Sequence, residues 1–197
     1  LWSATQVPHI LRVLAAATLG ISETKLRVIA PDVGGGFGSK LDVYAEELLA
    51  IALARRLGTP VKWVEERSEN ALATIHGRDF VTTLELAATK DGTITSLRAN
   101  VLASMGAYLQ LVTPGIPLLG AWIYAGPYAI PNYSVTFTGV FTNTTPTDAY
   151  RGAGRPEATY VIERTMDALA DELGMDKLEL RRKNFIAEFP HTLASGL

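Results

Sequence analysis

Alternation of apolar and polar residues is the clearest pattern in this chain, and it predicts three strands. Residues 80–89 and 93–105 alternate at every second position, and Lys-Asp-Gly at residues 90–92 joins them. An Asp-Gly pair between two alternating runs is a strong hairpin signal. Residues 133–141 alternate in the same way. We therefore expect a hairpin followed by a third strand.

Helical spacing of apolar residues predicts four helices. The first begins near Pro8, and the other three span residues 43–57, 157–173 and 178–186. In the first helix Thr5 is the predicted cap and Gly20 the predicted end, and the buried face is predicted to consist of Ile10, Leu14 and Ala17. Apolar residues cover so much of the second helix that it should be buried on more than one side. In the last helix, the basic group Arg181, Arg182 and Lys183 is expected to be a solvated face.

Two short apolar runs, at residues 25–30 and 61–65, predict strands on either side of the second helix, completing a β-α-β pattern. Residues 66–76 are polar, and residues 106–132 are rich in Gly and Pro with no sustained period. Strands and helices are interleaved without the regular alternation of a doubly wound fold. The predicted fold class is therefore α+β.

Composition excludes several functions. The 197 residues carry a net charge of −2 and no long basic run, so nucleic acid is not an expected partner. Cysteine is absent, and an iron–sulfur cluster held by cysteines must therefore lie on another polypeptide or domain. No apolar run reaches about 20 residues, and we expect a cytoplasmic protein. The first residue is Leu1, and we expect the chain to be part of a longer protein.

A glycine-rich segment is the first candidate for chemistry. Residues 31–40, here called the glycine loop, read Pro-Asp-Val-Gly-Gly-Gly-Phe-Gly-Ser-Lys. Glycines tolerate positive φ and let another group approach the main chain, so such a loop directs several N–H donors at one point. It predicts a site for an anion or an oxygen-rich cofactor. The alternative is a tight turn that binds no ligand.

Nucleotide-binding motifs do not fit the glycine loop. A dinucleotide fingerprint that starts at Gly34 needs a third glycine where Ser39 stands, and no acidic residue follows at the required distance. A phosphate-binding P-loop fails because Lys40 follows serine instead of glycine. A nucleotide-binding module is therefore the weakest of the functional hypotheses.

A second glycine-flanked turn, residues 148–156, precedes the predicted helix 157–173; we call it the arginine loop. It reads Asp-Ala-Tyr-Arg-Gly-Ala-Gly-Arg-Pro. A positive charge such as Arg151 at a helix N-terminus is unfavourable unless an anion is bound there. If the two loops converge, backbone donors and a guanidinium form one pocket suited to an oxo-anion or a metal-oxo cofactor.

Three segments in this order resemble the molybdopterin-binding large subunits of the xanthine dehydrogenase and aldehyde oxidase family. They are Ser-Ala-Thr-Gln-Val-Pro-His at residues 3–9, the glycine loop, and Ala-Tyr-Arg-Gly-Ala-Gly-Arg at residues 149–155. Within that family the resemblance is greatest to the form II carbon monoxide dehydrogenase group. It implies that residues 1–197 are part of the molybdopterin-binding region of a longer large subunit, with no internal domain boundary.

The resemblance implies roles for individual residues. Gln6 would lie beside molybdenum and hydrogen-bond an oxo ligand, while Arg151 would face the substrate. The residues expected to contact the cofactor are Gly35, Gly36, Phe37, Gly38, Gly152 and Ala153. The metal's own ligands would come from the pterin dithiolene, so no side chain of this chain is expected to bind the metal.

The same resemblance implies a molybdenum–molybdopterin cofactor in its cytosine dinucleotide form. An iron–sulfur subunit and a flavoprotein subunit carrying FAD would be partners, in a dimer of heterotrimers. The implied reaction is oxidation of a small molecule such as an aldehyde, an N-heterocycle or carbon monoxide. A non-catalytic binding or assembly subunit of the same fold is the alternative.

Two departures from the family limit the substrate. Gly152 stands where form I carbon monoxide dehydrogenases carry a copper-binding cysteine, so a copper–sulfur–molybdenum centre is not expected. Leu41 stands where purine-hydroxylating relatives carry a glutamate, which argues against xanthine. The glutamate that acts as base in the family is expected beyond Leu197, so the isolated chain is expected to be inactive.

Overall fold

The computed structural model describes residues 1–196 and shows a three-stranded sheet with helices packed against it and a helical N-terminal part beside it. This confirms the α+β prediction. The strands are β1 (Phe80–Ala88), β2 (Ile94–Gly106) and β3 (Asn132–Phe141). The helices are α1 (Pro8–Leu19), α2 (Ala45–Leu57), α3 (Arg67–Ala73), α4 (Gly115–Ile123), α5 (Arg155–Leu173) and α6 (Lys177–Asn184).

The sheet has the order β1-β2-β3, with β2 antiparallel to β1 and parallel to β3. The predicted hairpin is confirmed, since across the turn the Thr89 N–H donates to the Thr93 carbonyl and the Gly92 N–H donates to the Thr89 carbonyl. Along β1 half-buried and exposed residues alternate strictly, as the pattern predicts. The sheet thus buries one face and leaves the other outside, which is the usual cause of such alternation.

The main core lies between the buried face of the sheet and α5. Ile162 and Met166 of α5 are fully buried and belong to the same hydrophobic cluster as alternate residues of β2, namely Leu97, Ala99, Val101 and Ala103. Gly174 ends α5 in the left-handed conformation that a C-terminal glycine commonly adopts. The predictions for residues 133–141 and 157–173 are confirmed.

The prediction that the basic group near the end of α6 is a solvated face is confirmed only in part. The Arg181 side chain is only 18% exposed and lies between two carboxylates of α5. Its Nε donates to Glu163 at 2.8 Å and its Nη2 to Asp167 at 2.9 Å. The guanidinium therefore joins α6 to α5, because a planar fork with several donors can serve two carboxylates at once. Arg182 and Lys183 are exposed, as predicted.

The first helix uses a different face from the predicted one. Leu11, Ala15 and Ala16 are buried, whereas Ile10, Leu14 and Ala17 are exposed. Leu11 and Ala15 pack against Ile51 of α2, and these three form a second, smaller core. The predicted face was wrong, and the buried face lies next to it on the helix. Helical spacing alone does not show which of two adjacent apolar faces packs against a neighbouring helix.

Helix α2 forms as predicted, but it is not buried on more than one side. Ile51 is its only buried residue, and Leu49, Leu53 and Leu57 are 57%, 43% and 62% exposed. Glu47 in its first turn accepts a hydrogen bond from the Tyr44 N–H at 3.0 Å, which fixes where the helix begins.

The predicted strands at residues 25–30 and 61–65 are wrong. Residues 23–25 form a short 3₁₀ helix, and only Ile29 makes a bridge, to Trp2. Residues 61–65 have no strand partner among residues 1–196, so the β-α-β unit is absent from that part of the chain. Conversely, α4 forms within the segment 106–132, for which no regular structure was predicted, and α3 forms within the polar segment 66–76. Among residues 1–196, no helix combines the length and apolarity that a membrane crossing requires.

Candidate functional site

The glycine loop is held close to the segment that precedes α1. The Gln6 N–H donates to the Lys40 carbonyl at 3.0 Å, and the Gln6 Oε1 accepts from the Gly38 N–H at 3.1 Å. A side chain at Gly36 would overlap the Gln6 amide. The close approach of Gln6 therefore favours glycine at position 36, and it places Gln6 directly against the glycine loop.

Left-handed backbone conformations give the glycine loop its shape. Gly35 has φ 107° and Gly38 has φ 92°, which L-residues rarely adopt. Phe37, with φ 55°, is a non-glycine residue in this region, and its ring is 57% exposed. A bulky side chain held in a strained conformation and presented to solvent is often part of a site, not of a core.

The arginine loop has its own steric constraints. Gly152 has φ 102°, and a Cβ there would lie 2.6 Å from the Pro156 ring. Gly154 has φ 89°, and a Cβ there would overlap the Ile116 carbonyl at the start of α4. Ala153 has φ 46°, and its N–H donates to the Tyr150 carbonyl at 2.8 Å. The loop is thus a tight turn packed directly on α4.

The two loops converge, which meets the condition under which the sequence predicts a shared pocket. The Arg151 N–H donates to the Phe37 carbonyl at 2.9 Å, and the Arg151 guanidinium lies 5.5 Å from the centre of the Phe37 ring. Gly38 contacts Ala149 so closely that a Cβ on Gly38 would overlap the Ala149 carbonyl. Gln6, the glycine loop and the arginine loop therefore form one continuous surface.

Several hydrogen-bond donors on this surface have no acceptor within residues 1–196. They are the Gln6 amide NH₂, the backbone N–H groups of Gly36 and Phe37, and the Arg151 guanidinium. The Gly38 N–H is already bound to Gln6, so the donors available for a ligand belong to its neighbours in the loop. A set of neutral and cationic donors with no carboxylate among them suits a ligand rich in negative oxygen or sulfur.

A cleft of about 1150 Å³ adjoins this surface. It extends from Gly35, Gly36 and Phe37 along α2 to Trp63. Its volume lies slightly above the roughly 300–1,000 Å³ that is usual for small-molecule sites. Within residues 1–196, no cluster of three or more His, Cys, Asp or Glu side chains could hold a metal ion.

Two buried aspartates that were not singled out from the sequence connect the two loops on their buried side. Asp42 follows the glycine loop and Asp148 begins the arginine loop, and each is 1% exposed. Asp42 Oδ1 accepts from the Leu111 N–H at 2.9 Å, and Asp148 Oδ2 accepts from the Val112 N–H at 3.0 Å. Adjacent N–H groups of one turn thus tie both loops to a common point.

The two buried carboxylates are not equally well stabilised by hydrogen bonds. Burial raises the pKa of Asp42 to about 6, the hydrogen bond from Leu111 lowers it, and the nearby Asp148 raises it further. Asp42 Oδ2 is buried without a hydrogen-bond partner among residues 1–196. Asp148 is better satisfied, because Thr113 Oγ1 at 2.9 Å and the Ala149 N–H also donate to it. A neutral Asp42 is therefore favoured over a wider pH range than an exposed aspartate.

Arg78 is a third residue that the sequence analysis missed. It lies just before β1 and donates to the carbonyls of Tyr150 and Arg151 at 3.0 and 3.1 Å. No motif marks it, and it lies between the polar segment 66–76 and the strand predicted from residue 80. The only sequence signal was the preceding Gly77, at which a Cβ would lie 2.6 Å from the Tyr150 Cβ.

Comparison with known proteins agrees with the predicted resemblance. Residues 1–185 match the molybdopterin cofactor-binding domain family. The chain is 45% identical to the carbon monoxide dehydrogenase large chain of Hydrogenophaga pseudoflava, over 98% of this chain and 24% of that protein. It is 39% identical to the nicotine 6-hydroxylase large subunit of Paenarthrobacter nicotinovorans, over 100% of this chain and 24% of that protein.

A solved structure has the same fold. The quinoline 2-oxidoreductase from Pseudomonas putida 86 superposes with a TM-score of 0.95 and 36% identity, over 100% of this chain and 25% of that chain. The chain therefore spans about a quarter of the length of the relatives it matches.

Proposed function

The chain belongs to the molybdopterin cofactor-binding domain family, and on that premise we propose that it forms one wall of the active site of a molybdenum-dependent oxidoreductase large subunit. Residues 1–197 would make up one part of the molybdopterin-binding region, without an internal boundary. The observation that supports this proposal best is the convergence of Gln6, the glycine loop and the arginine loop on one surface with unpaired donors.

The residues of this surface fit a molybdenum–molybdopterin group. Such a group presents oxygen and sulfur atoms that carry negative charge, and the surface offers N–H donors and a guanidinium. When bound, this group supplies two-electron oxidation of a small substrate with transfer of an oxygen atom. The Gln6 NH₂ would donate to one of its oxygen atoms, as second-sphere groups commonly do at metals.

The loops would divide the remaining tasks. The free N–H groups of Gly36 and Phe37, with the close backbone approach at Gly35 and Gly38, would contact the cofactor. Gly152 and Ala153 would contact it from the arginine loop. The Arg151 guanidinium, held over the Phe37 ring, would face the substrate and stabilise negative charge that develops there.

We propose a substrate that is an aldehyde or an N-heterocycle. Two relatives are named for nicotine and quinoline, both N-heterocycles, and a third for carbon monoxide. A side chain at Gly152 would collide with the Pro156 ring, so this loop conformation does not accommodate the cysteine that holds copper in form I carbon monoxide dehydrogenases. Carbon monoxide is therefore the less favoured substrate.

The proposed complex includes partner subunits. The relatives are named as large chains or large subunits, which supports smaller partners. We propose an iron–sulfur subunit and an FAD-containing subunit, in a cytoplasmic dimer of heterotrimers, with the cofactor in its cytosine dinucleotide form. In this proposal the electrons would leave through those two subunits.

The test is to express the complete complex in a host that makes the molybdenum cofactor. Metal analysis should find molybdenum, and acid extraction should release CMP. Dye reduction with quinoline, nicotine, benzaldehyde and carbon monoxide should show turnover of at least one of the first three. Arg151→Met should lower kcat/KM about 100-fold, the size of effect seen when one charge-stabilising donor is removed, whereas Arg98→Met should not. Absence of molybdenum would leave the non-catalytic assembly subunit as the function.

A further inference from the structure

Arg78 occupies an unusual bend directly before β1. Its φ is 73° and that of Asp79 is 58°, so two consecutive non-glycine residues adopt the left-handed conformation. Such strain persists only where surrounding contacts determine it. Here backbone hydrogen bonds fix the chain two residues before Arg78, since the His76 N–H donates to the Pro146 carbonyl and the His76 carbonyl accepts from the Asp148 N–H, at 2.9 Å each. The bend therefore carries the Arg78 side chain to the arginine loop.

The Arg78 guanidinium contacts the arginine loop at three points. Its Nη1 and Nη2 donate to the consecutive carbonyls of Tyr150 and Arg151, and its Cζ lies 4.7 Å from the centre of the Tyr150 ring. A planar fork is suited to two acceptors side by side, and it also stacks on aromatic rings. A lysine at the same place would keep the charge but not this geometry.

These contacts fix the backbone around Arg151 completely. The carbonyls before and after its Cα are held by Arg78, and its N–H is held by the Phe37 carbonyl at 2.9 Å. The Arg151 side chain itself has no hydrogen-bond or ion-pair partner among residues 1–196. Its direction is therefore set by its backbone and by the Phe37 ring.

A buried carboxylate balances the charge of Arg78. Glu157 in the first turn of α5 is 10% exposed at its side chain, and its Oε1 lies 3.9 Å from Arg78 Nη1. Neither Glu157 oxygen has a hydrogen-bond partner within residues 1–196. The attraction keeps the guanidinium at the junction between β1, the arginine loop and α5, because charges in a partly buried place are weakly screened.

We propose that Arg78 is a positioning residue whose guanidinium fork holds the Tyr150–Arg151 backbone so that the Arg151 guanidinium faces the substrate. The consequence for turnover rests on the proposed function, whereas the consequence for the loop does not. Loss of the fork would loosen the arginine loop and leave the sheet unchanged.

Hydrogen–deuterium exchange on the complete complex tests the proposal. In Arg78→Met, amides of residues 149–154 should exchange about tenfold faster, because two charge-assisted hydrogen bonds are lost. Arg78→Lys should restore about half of the protection on a logarithmic scale. Arg98→Met is the matched control, since Arg98 pairs with Glu85 on the exposed side of the hairpin and should leave these amides unchanged.

Turnover provides the second readout. With whichever of quinoline, nicotine or benzaldehyde the wild-type complex oxidises, Arg78→Met should raise KM about tenfold and change kcat less, while the molybdenum content stays at the wild-type value. Unchanged exchange at residues 149–154, or exchange that rises equally in β1 and β2, would overturn the positioning role. Absence of molybdenum from the wild-type complex would instead overturn the proposed function, and the exchange experiment would still give its own answer.

Discussion

The two loops that meet at the candidate site are held in place by different means. The glycine loop is shaped by close approach of main chain to its neighbours, with Gly36 against Gln6 and Gly38 against the Ala149 carbonyl. The arginine loop is held by polar side chains, with Asp148 accepting three hydrogen bonds and Arg78 donating two. The glycine loop therefore depends mainly on the absence of side chains, whereas the arginine loop needs buried polar side chains in addition to its own glycines at positions 152 and 154.

This difference explains why the two loops present different groups. The glycines of the first loop leave its N–H donors accessible. Buried polar groups hold the backbone of the second loop, so the Arg151 side chain is not needed to hold it. Together the two loops offer both backbone N–H donors and a guanidinium to one ligand. The comparison predicts that added atoms damage the glycine loop and that removed acceptors damage the arginine loop.

The largest effect is expected from Gly38→Ala. The new methyl group would overlap the Ala149 carbonyl, and φ 92° is unfavourable for alanine. Strain and overpacking together should lower the free energy of unfolding by about 4 kcal/mol. Urea denaturation of the purified protein measures this value.

Gly34→Ala is the matched control in the same loop. Gly34 also has positive φ, at 71°, but nothing lies within 4 Å of its Cβ position. Only conformational strain remains, so the cost should be about 1 kcal/mol. Equal costs for the two variants would show that the contact between the loops does not constrain Gly38.

A somewhat smaller effect is expected from Asp148→Asn. The amide NH₂ would face an N–H donor at one of the two positions where carboxylate oxygens now accept, from Val112 or from Ala149. A buried donor left without an acceptor should cost about 3 kcal/mol in the free energy of unfolding. Asp32→Asn, at an exposed position of the other loop, should change it by less than about 0.5 kcal/mol. An unchanged stability of Asp148→Asn would mean that this carboxylate does not hold the arginine loop.

The same contrast explains how much of the molecule could be predicted from sequence. β1, β2 and α5 were predictable because each buries one face against this chain's own core, so their periodicity records the packing. Residues 25–30 and 61–65 have the composition of strands but find no full partner strand among residues 1–196. Composition indicates which segments favour extended structure, but a strand also needs a neighbour.

The site divides in the same way. Gln6, Phe37, Gly38 and Arg151 were identified because they lie in compact motifs. Asp42, Asp148 and Arg78 were not, because their partners lie far away in sequence. Asp42 binds an amide 69 positions later, and Arg78 binds carbonyls 72 and 73 positions later. Such contacts leave no local pattern, and only the folded structure brings them together.

Asp42 offers a test in which removal of a charge should stabilise the junction. Its folded-state pKa of about 6 lies above the ordinary value of 3.8, so between those values the folded state binds more protons than the unfolded state. The stability contributed by this group therefore falls as pH rises from about 4 to 6 and stays low above that. The full difference is roughly 3 kcal/mol, since each pKa unit corresponds to about 1.4 kcal/mol.

Asp42→Asn should therefore raise the free energy of unfolding at pH 8 by about 2 kcal/mol, after about 1 kcal/mol is subtracted for the buried NH₂. The amide oxygen can still accept from Leu111. At pH 4 the gain should vanish, because Asp42 is then protonated in the folded state. Urea denaturation at both pH values measures the difference, and equal effects at pH 4 and pH 8 would contradict the raised pKa.

The smallest effect on stability, and the sharpest separation of structure from binding, is expected at Gln6. Gln6→Leu removes the acceptor of the Gly38 N–H and should cost about 1 kcal/mol, the net value of one such hydrogen bond. Gln6→Glu keeps an acceptor for Gly38 and should leave the free energy of unfolding nearly unchanged. It also replaces the free NH₂ donor by a carboxylate, which repels an oxygen-rich ligand.

The proposed role of Gln6 therefore predicts that Gln6→Glu lowers the molybdenum content or turnover of the complex more than Gln6→Leu does. This order is the opposite of the order of their effects on stability. The same order in both measurements would mean that Gln6 acts only by supporting the glycine loop.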